Sequence, residues 1–261
     1  MLLVLSGLKA GPASAQELEV LPAGATCRAF VLYDCLNDRI VAQEQMTQRQ
    51  PIASLTKLMT ALLVCDRLRF DGRWVLTKSE QRFFGVETMR AQKMLELMLV
   101  PSNNTACKTA ARLISGDEDA FAAQMNAKAA AMGLSDTRFI NPHGLPGSGQ
   151  YSSAYDVLTL ARVALTKPSI RKAIVLHEVE LGGKRYESTL KPLYERHPGL
   201  KGGKTGWTRA AGRCLLLVYH AFGRDYLLVT LGSKDIPAGY RDAELILSYY
   251  GLYSGEVGTW E

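Results

Sequence analysis

The spacing of apolar residues predicts strands near both chain ends with a block of helices between them. Residues 27–45, "CRAFVLYDCLNDRIVAQEQ", form two strand-like runs around a turn at Leu36–Arg39. Residues 213–233, "RCLLLVYHAFGRDYLLVTLGS", form a second pair of runs around a turn at Gly223–Asp225. Because strands from both ends enclose the helical block, we expect the two end segments to share one sheet.

Apolar positions that recur every three or four residues predict helices through the middle of the chain. The first helix is predicted from Ser54 to about Leu68, and it has more apolar positions than one face requires, which indicates burial nearly all round. Further helices are predicted over Thr88–Val100, Asn104–Ile114, Glu118–Met132, Tyr155–Leu165, Ser169–Leu176 and residues 243–253. The predicted fold class is therefore α+β: an antiparallel sheet flanked by helices, plus a mostly helical subdomain.

Composition narrows the class of protein without identifying it. The chain has 261 residues, of which 47% are hydrophobic and 21% charged, as in folded globular proteins. Its net charge of +6 comes from 31 basic and 25 acidic residues that are scattered along the chain. A nucleic-acid-binding protein usually clusters its basic residues, so no nucleic-acid partner is predicted. The mild positive charge suits an anionic polymer or membrane surface, and it equally suits simple solubility.

The N-terminus has the pattern of an export signal. A short apolar stretch precedes Ala13, Ser14 and Ala15, which fit a signal peptidase site, although the usual basic start is missing. We therefore predict a signal peptide over residues 1–15 and an extracytoplasmic protein, either secreted or associated with the cell envelope. The alternative is a frayed apolar terminus. Because no other run reaches the roughly 18 apolar residues of a membrane span, membrane association is predicted only through the N-terminus.

The cysteines give no framework of disulfides or metal ligands. The five are Cys27, Cys35, Cys65, Cys107 and Cys214. Their number is odd, and neither C-x-x-C nor a companion histidine spacing occurs, so no metal and no cofactor are predicted. Cys65 and Cys107 lie on predicted helices and are able to pair only if those helices touch.

The strongest candidate chemistry lies in "ASLTKLMT", residues 53–60. Ser54 and Lys57 are three residues apart, which places both on one face of a helix. Serine becomes an effective nucleophile when a base takes its proton, and lysine is such a base if burial or nearby positive charge keeps it neutral. On its own the pattern is also typical of a serine helix cap followed by an ordinary lysine.

Two later motifs strengthen the catalytic interpretation. In "PSNNTA", residues 101–106, Ser102 and Asn104 stand at the start of a predicted helix, where they point into a cleft or merely cap the helix. In "GGKTGWT", residues 202–208, Lys204 and Thr205 precede a predicted pair of strands. A phosphate-binding loop is disfavoured there, because the required upstream glycine is one position off and such a loop leads into a helix.

The three motifs together resemble those of a known family. S-x-x-K, S-x-N and K-T-G occur in this order, with 48 residues from the first serine to the second and 102 from there to the K-T-G lysine. The chain resembles the low-molecular-mass penicillin-binding proteins that act as serine-type D-alanyl-D-alanine carboxypeptidases. The resemblance runs from about Cys27 to Tyr253 and includes "FINPHGLP" (139–146), "YSSAYDVLTLAR" (151–162) and "HPGLKGGKTGWTRAAGRCLLLV" (197–218). It implies a β-lactamase/transpeptidase-like fold in which residues 16–261 form one catalytic domain with a cleft between two subdomains.

The resemblance also implies a reaction and its catalytic residues. Ser54 would attack the carbonyl between the two terminal D-alanines of a peptidoglycan stem peptide, and Lys57 would take its proton. Ser102 would pass a proton to the departing D-alanine, and water would release the acyl-enzyme. β-Lactam antibiotics would act as inhibitors by acylating the same serine.

The remaining motif residues would bind the substrate. Asn104 would hold the substrate amide and the catalytic lysine. Lys204 would supply positive charge near the substrate carboxylate and help to keep the catalytic lysine neutral, while the Thr205 hydroxyl would bind that carboxylate. Gly206 would let the substrate lie against the strand edge, and the backbone N–H groups of Trp207 and of the nucleophile would form an oxyanion hole.

Other polar residues near the motifs have weaker signals. His143 and Asn141, in "NPHGLP", are expected to shape a turn, and Arg209 is expected to be solvated beyond K-T-G. Residues 83–95, between the first two motifs, lie in a segment that looks shorter than usual in the family, so substrate preference is open. The chain is also expected to lack the β-rich C-terminal domain and amphipathic anchor of many relatives.

Three rival functions remain at this stage. A peptidoglycan D,D-endopeptidase would use the same residues on cross-links. A class A β-lactamase would need a deacylating glutamate in an E-x-x-x-N pattern between the second and third motifs. The glutamates of that interval are Glu118, Glu178, Glu180, Glu187 and Glu195, and none has Asn four residues later. A non-catalytic peptidoglycan-binding protein is disfavoured because every motif side chain is present.

Overall fold

The computed structural model describes residues 21–255 and 257–260, so the predicted signal peptide lies outside the described residues. The strands are Ala29–Asp34 (β1), Arg39–Glu44 (β2), Trp74–Val75 (β3), Thr88–Met89 (β4), Glu178–Leu181 (β5), Lys184–Glu187 (β6), Leu200–Thr208 (β7), Gly212–Ala221 (β8) and Arg224–Ser233 (β9). The helices are Lys57–Arg67 (α1), Lys78–Phe84 (α2), Ala91–Leu99 (α3), Asn104–Ser115 (α4), Glu118–Ala131 (α5), Ala154–Thr166 (α6), Pro168–Ile174 (α7), Lys191–Tyr194 (α8) and Ile236–Tyr249 (α9).

Strands from the two chain ends form one antiparallel sheet of five strands. Its order is β2-β1-β9-β8-β7, so the first strands of the chain lie beside the last. The central pairing of β1 with β9 sets Val31 opposite Val229. This confirms the predicted α+β fold class with a sheet shared by both ends.

The sheet separates two hydrophobic cores, because neighbouring strand residues face opposite sides. On one side Val31 and Leu216 join a large core with Leu58 and Leu62 of α1. On the other side β-strand residues such as Leu217 pack with α9 in a smaller core. Full burial of one such leucine stabilises the fold by about 1.5–3 kcal/mol. Every residue from the start of α1 through its eighth is buried, as its apolar excess predicted.

The first motif does not begin an α-helix, contrary to the prediction of a helix from Ser54. Residues Ala53–Thr56 form a 3-10 turn, and α1 starts only at Lys57. The turn opens at Ala53, whose φ of 46° is a left-handed conformation outside the α-helical region. The nucleophile candidate therefore lies in a tight turn before the helix.

Other element boundaries also differ from the predictions. Thr88–Met89 is a short strand, so α3 starts at Ala91 and not at Thr88. The K-T-G motif lies inside β7 and does not precede a strand pair. The last helix starts at Ile236, seven residues before the predicted start, where the Asp235 side chain accepts a hydrogen bond from the Ala238 N–H and Pro237 occupies the first turn. Helices α2 and α8 and the two-stranded sheets β3-β4 and β5-β6 were not predicted.

The cysteines are all free thiols, so the conditional pairing of Cys65 with Cys107 does not occur, although α1 and α4 do pack together. Within residues 21–255 and 257–260, no helix has the length and apolar character needed to cross a membrane. The same residues contain no cluster of three or more His, Cys, Asp or Glu side chains suited to a metal ion.

Candidate active site

The serine and lysine of the first motif are in direct contact. Lys57 is fully buried, and its Nζ donates hydrogen bonds to Ser54 Oγ and to the backbone carbonyl of His143, both at 2.7 Å. The carbonyl comes from a loop 86 residues away in the chain. Two fixed acceptors therefore hold the amine against the hydroxyl.

Two glycines allow other segments to close around the turn that carries Ser54. A Cβ atom on Gly144 would lie 1.9 Å from the Ala53 carbonyl oxygen, and one on Gly206 would lie 2.9 Å from the Ser54 nitrogen. Real Cβ atoms do not approach so closely, so both positions depend on the absence of a side chain. The K-T-G strand consequently runs past the backbone of the nucleophile.

The second motif presents Ser102 in a strained conformation. Its φ of 61° is left-handed, which is uncommon outside glycine and is often found at functional sites. The next residue, Asn103, caps α4 by accepting a hydrogen bond from the Ala106 N–H. The sharp bend before the helix directs Ser102 Oγ toward Lys204, whose Nζ donates to it at 2.8 Å.

The third motif contributes a second buried lysine. Lys204 is fully buried in β7, and its Nζ also donates to the Thr205 backbone carbonyl at 2.8 Å. The Thr205 hydroxyl donates to the hydroxyl of Thr189 at 2.7 Å. Trp207, two residues after Thr205, is half exposed at the strand edge.

Burial lowers the pKa of both lysines, because a charged ammonium group loses its hydration inside the protein. It is the main cause of the lowered pKa of Lys57. The pKa of Lys204 falls well below its ordinary value, first by burial and then through the positive charges of Lys57 and Arg213. The site therefore makes both amines less basic than an ordinary lysine.

Comparison with known proteins agrees with this geometry. Residues 16–235 match the family described as D-alanyl-D-alanine carboxypeptidase. The chain belongs to this family. The match includes all three motifs, so the predicted resemblance to low-molecular-mass penicillin-binding proteins is confirmed.

Individual relatives support the family assignment. A D-alanyl-D-alanine carboxypeptidase of Bacillus subtilis is 32% identical over 72% of this chain and 52% of its own length, so the chain spans about half of that relative. One of Mycobacterium tuberculosis is 30% identical over 75% of this chain and 73% of its own length. A D-alanyl-D-alanine endopeptidase of Escherichia coli is 29% identical over 87% of this chain and 77% of its own length.

Solved structures share the fold. A penicillin-binding protein of Listeria monocytogenes, crystallised in an ampicillin-bound form, superposes with a TM-score of 0.76 and 26% identity. The match covers 87% of this chain and 97% of that one. Family membership and fold therefore agree, and the three motifs lie in a fold that solved structures share.

Within this family fold, the sequence-predicted serines and lysines form two hydrogen-bonded pairs. Ser54 is bonded to Lys57 and Ser102 to Lys204, and the charge of Lys57 is near enough to lower the pKa of Lys204. Asn104 is the first residue of α4 and is half buried, but the hydrogen bonds that the structure gives Lys57 go to the serine and to the His143 carbonyl. The expected hold of Asn104 on the lysine stays a prediction.

The loop that supplies this carbonyl is fixed by its own side chains. Asn141 Oδ1 accepts hydrogen bonds from the backbone N–H groups of His143 at 3.2 Å and Gly144 at 2.7 Å. The His143 ring lies 3.1 Å from Glu118, and burial lowers the pKa of the imidazole. Sequence reasoning expected a structural turn here but missed the carbonyl, because a backbone acceptor leaves no residue-type signal.

The arrangement is suited to acyl transfer. Lys57, a buried amine of lowered pKa, is hydrogen-bonded to the Ser54 hydroxyl. The Ser102 hydroxyl is hydrogen-bonded to the second buried amine, Lys204. Such a pairing is able to remove a proton from a nucleophile and return one to a leaving group. Arg209, by contrast, is exposed, as the sequence predicted.

Proposed function

We propose that the protein is a serine D-alanyl-D-alanine carboxypeptidase that removes the terminal D-alanine from peptidoglycan stem peptides. The observation that carries the proposal is the 2.7 Å contact of Nζ of the fully buried Lys57 with Oγ of the partly exposed Ser54. A neutral lysine at this distance is placed to accept the hydroxyl proton as the oxygen attacks.

The proposed acylation has two proton transfers. Ser54 Oγ attacks the carbonyl of the penultimate D-alanine while Lys57 accepts its proton. As the tetrahedral intermediate collapses, Ser102, which accepts a hydrogen bond from Lys204, gives its proton to the departing amine of D-alanine. The proton that Lys57 took from Ser54 then replaces it, so Lys57 is neutral again. Water then attacks the acyl ester, a proton returns to Ser54, and the shortened peptide leaves.

Backbone and K-T-G groups support the same reaction. The N–H groups of Ser54 and Trp207 are proposed to hold the developing oxyanion, an effect worth about 3 kcal/mol for each donor. Asn104 is proposed to bind the substrate amide, and the Thr205 hydroxyl the terminal carboxylate. Gly206 supports the proposal because its missing side chain leaves the strand edge open beside the Ser54 nitrogen.

β-Lactams are proposed as covalent inhibitors, because they carry a reactive amide and a carboxylate in the same positions as the substrate. The ampicillin-bound form of the similar Listeria protein supports this part. Action on peptidoglycan also requires a location outside the cytoplasm. We therefore retain export through residues 1–15 and attachment to the membrane only through the N-terminus as proposals.

Release of D-alanine is the direct test. The purified protein is incubated with a stem pentapeptide, free D-alanine is measured, and the intact mass is followed with a fluorescent penicillin, with Ser54→Ala as control. Release of D-alanine and a long-lived adduct, both absent in the variant, are expected. Rapid drug hydrolysis without an adduct would instead indicate a β-lactamase, and no reaction would favour a binding protein.

A second candidate is D,D-endopeptidase activity, favoured by the endopeptidase relative from Escherichia coli. The same residues would cleave the D-alanyl bond of a cross-link. Parallel assays of a pentapeptide and a purified cross-linked dimer separate the two activities. We expect the pentapeptide to be the better substrate, and faster cleavage of the dimer would reverse the order of the two candidates.

A further inference from the structure

The loop that holds Lys57 is bonded to helix α1 by two consecutive carbonyls. The Pro142 carbonyl accepts a hydrogen bond from Thr60 Oγ1 at 2.6 Å, and the His143 carbonyl accepts one from Lys57 Nζ at 2.7 Å. A Cβ on the next residue, Gly144, would lie 1.9 Å from a carbonyl oxygen of the turn before α1. A small displacement of this loop would therefore move the acceptor that holds the lysine.

The imidazole ring of His143 is held at both of its nitrogens. The residue is buried, with 6% of its surface exposed. The Leu145 backbone N–H donates to Nδ1 at 3.2 Å, and Nε2 lies 3.1 Å from Glu118 Oε2. Because the Leu145 N–H needs a lone pair on Nδ1, the ring proton is on Nε2 and donates to the carboxylate. The surroundings therefore select one neutral tautomer of His143.

A second proton on the ring would disrupt this arrangement. An imidazolium has an N–H at both nitrogens, so Nδ1 would meet the Leu145 N–H as one donor facing another. One of the two groups must then turn away. A turned ring moves the backbone of His143, and with it the carbonyl that accepts from Lys57. The hold on the lysine therefore depends on a neutral ring.

Among the described residues, the charged groups that act on the His143 ring come from three helices. Glu118 of α5 favours the charged ring, whereas Lys108 of α4 and Lys57 of α1 disfavour it. Lys108 Nζ also lies 3.4 Å from Glu118 Oε1 and offsets part of the carboxylate charge. Burial is the largest cause, and it lowers the pKa of the imidazole below the 6.5 of an ordinary histidine. The ring is thus neutral at neutral pH and gains its second proton in acidic solution.

The carbonyl is important because it orients the amine. A neutral lysine amine has two N–H groups and one lone pair. When one N–H donates to the His143 carbonyl, the lone pair is able to face Ser54 Oγ, which lies 2.7 Å from Lys57 Nζ. Without that acceptor the amine rotates freely about its last bond. A general base works only while its lone pair is aligned with the proton that it takes.

We propose that His143 is a positioning residue whose neutral ring, held between Glu118 and the Leu145 N–H, keeps the His143 carbonyl on Lys57 and the base aligned with the nucleophile. Protonation of the ring releases this hold and slows acylation. The role rests on the proposed carboxypeptidase function. It gives the enzyme a second titration, separate from that of the lysine, at the acidic end of its pH range.

The pH dependence of acylation by a fluorescent penicillin tests this role. If both Lys57 and the ring must be neutral, the logarithm of the rate should rise with a slope of two below the His143 midpoint and of one above it. His143→Asn keeps an acceptor near the Nδ1 position and does not titrate, so the slope should stay at one. Its rate at alkaline pH should fall less than about tenfold, whereas His143→Ala should lose about 10- to 100-fold at alkaline pH.

Two charge changes beside the ring should move the lower midpoint in opposite directions. Glu118→Gln keeps an acceptor for Nε2–H but removes the charge that favours the imidazolium, so the midpoint should fall by about one pH unit. Lys108→Gln removes an opposing charge and should raise the midpoint, by less because Lys108 is exposed. Asp119→Asn, an exposed acid in the same turn of α5, is the control and should leave the midpoint unchanged.

Two outcomes of these profiles overturn the proposal. One is a slope of one throughout in the wild type, and the other is a lower midpoint that neither Glu118→Gln nor Lys108→Gln moves. A purely structural role for His143 would give the first outcome, together with an equal loss of rate at every pH in His143→Ala. Should the His143 variants fail to fold, Glu118→Gln and Lys108→Gln carry the test.

Nuclear magnetic resonance separates this role from the proposed reaction. The chain has four histidines, so His143→Asn identifies the ring nitrogen signals of His143 by difference. In Ser54→Ala protein, which lacks the nucleophile, we expect the Nε2–H tautomer and a Leu145 amide signal that shifts with the midpoint of the ring. The Nδ1–H tautomer, or a Leu145 amide that does not titrate, overturns the role of His143. If the wild type releases no D-alanine, the proposed function fails, yet these signals still decide how the ring is held.

Discussion

The two faces of the central sheet bury charged groups in opposite ways. Glu244 on α9 is fully buried, and its carboxylate accepts hydrogen bonds from His197 Nε2 at 2.8 Å, the Gly258 N–H at 3.0 Å and Trp260 Nε1 at 2.8 Å. The lysine pair on the other face has hydroxyl and carbonyl partners but no carboxylate among the charges that shift its pKa values.

This difference separates a structural cluster from a functional one. A buried charge with its hydrogen bonds satisfied ties elements together, here α9 to the chain near its C-terminal end. Burial without a paired acid lowers the pKa values of both lysines, and a lowered pKa suits an amine that takes a proton from a nucleophile. An ion-pair partner, more than burial itself, distinguishes the two faces: Arg196 Nε lies 3.5 Å from Glu244, whereas no carboxylate acts on the pKa of either lysine.

The largest expected effect is on the reactive face. Ser54→Ala removes the nucleophile, so acylation by a fluorescent penicillin should fall at least about 10⁴-fold, to background. Stability should hardly change, because a small side chain at the end of a turn is replaced by another. The measurement is labelled protein by mass and fluorescence. Labelling at the wild-type rate would remove Ser54 from the mechanism.

On the face that carries Glu244, a substitution should lower the unfolding free energy without slowing acylation. Glu244→Ala leaves several buried donors without an acceptor, and breaking such a cluster costs about 3–5 kcal/mol of unfolding free energy. Urea denaturation measures this, with Glu195→Ala as the exposed control. Penicillin acylation of the folded variant should stay near wild type. A stable variant with slow acylation would reverse the contrast drawn between the faces.

Lys204→Met should lower activity and raise stability. Loss of the amine bonded to Ser102 should lower kcat/KM by about 10- to 100-fold, while removal of a buried ionisable group should raise the unfolding free energy by about 1 kcal/mol. Because the folded-state pKa of Lys204 is lowered, wild-type stability should rise with pH until the unfolded lysine also loses its proton, near 10.5. Urea denaturation at several pH values should show a smaller rise of the unfolding free energy with pH in the variant than in the wild type.

The smallest expected effect is a shift in a pH profile. Acylation needs neutral Lys57, so its rate should rise with pH and level off at a midpoint below the 10.5 of an ordinary lysine. Arg209→Gln, at an exposed position, should leave that midpoint unchanged. Stopped-flow labelling across pH provides the measurement. A midpoint at or above the ordinary lysine value would mean that burial does not prepare the base.

Sequence reasoning located most of the site because its motifs fix residue types at set positions. The apolar runs of β1, β8 and β9 predicted the shared sheet, and S-x-x-K predicted the contact of Ser54 with Lys57. Helix limits were less predictable where a local conformation overrides periodicity, as at Ala53. The strands of the two-stranded sheets β3-β4 and β5-β6 are too short for alternating apolar and polar residues to predict them.

Features that depend on tertiary contacts could not be predicted from the sequence. The second partner of Lys57 is a backbone carbonyl. Every residue has such a carbonyl, so the sequence does not indicate which one lies beside the lysine. The lowered pKa of Lys204 comes first from complete burial and then from the positive charges of Lys57 and Arg213. Neither the burial of one lysine nor its nearest charges can be derived from a three-letter motif.

The carbonyl of His143 and the glycine contacts at Ala53 also bear on how the chain matures. Until the loop from residue 141 and strand β7 have closed on the first turn, Lys57 is hydrated and protonated, and Ser54 is an ordinary hydroxyl. A nascent or partly folded chain is therefore inert toward activated amides. Reaction with a penicillin should therefore appear only after this closure, so labelling during refolding measures how much of the protein has formed the complete site.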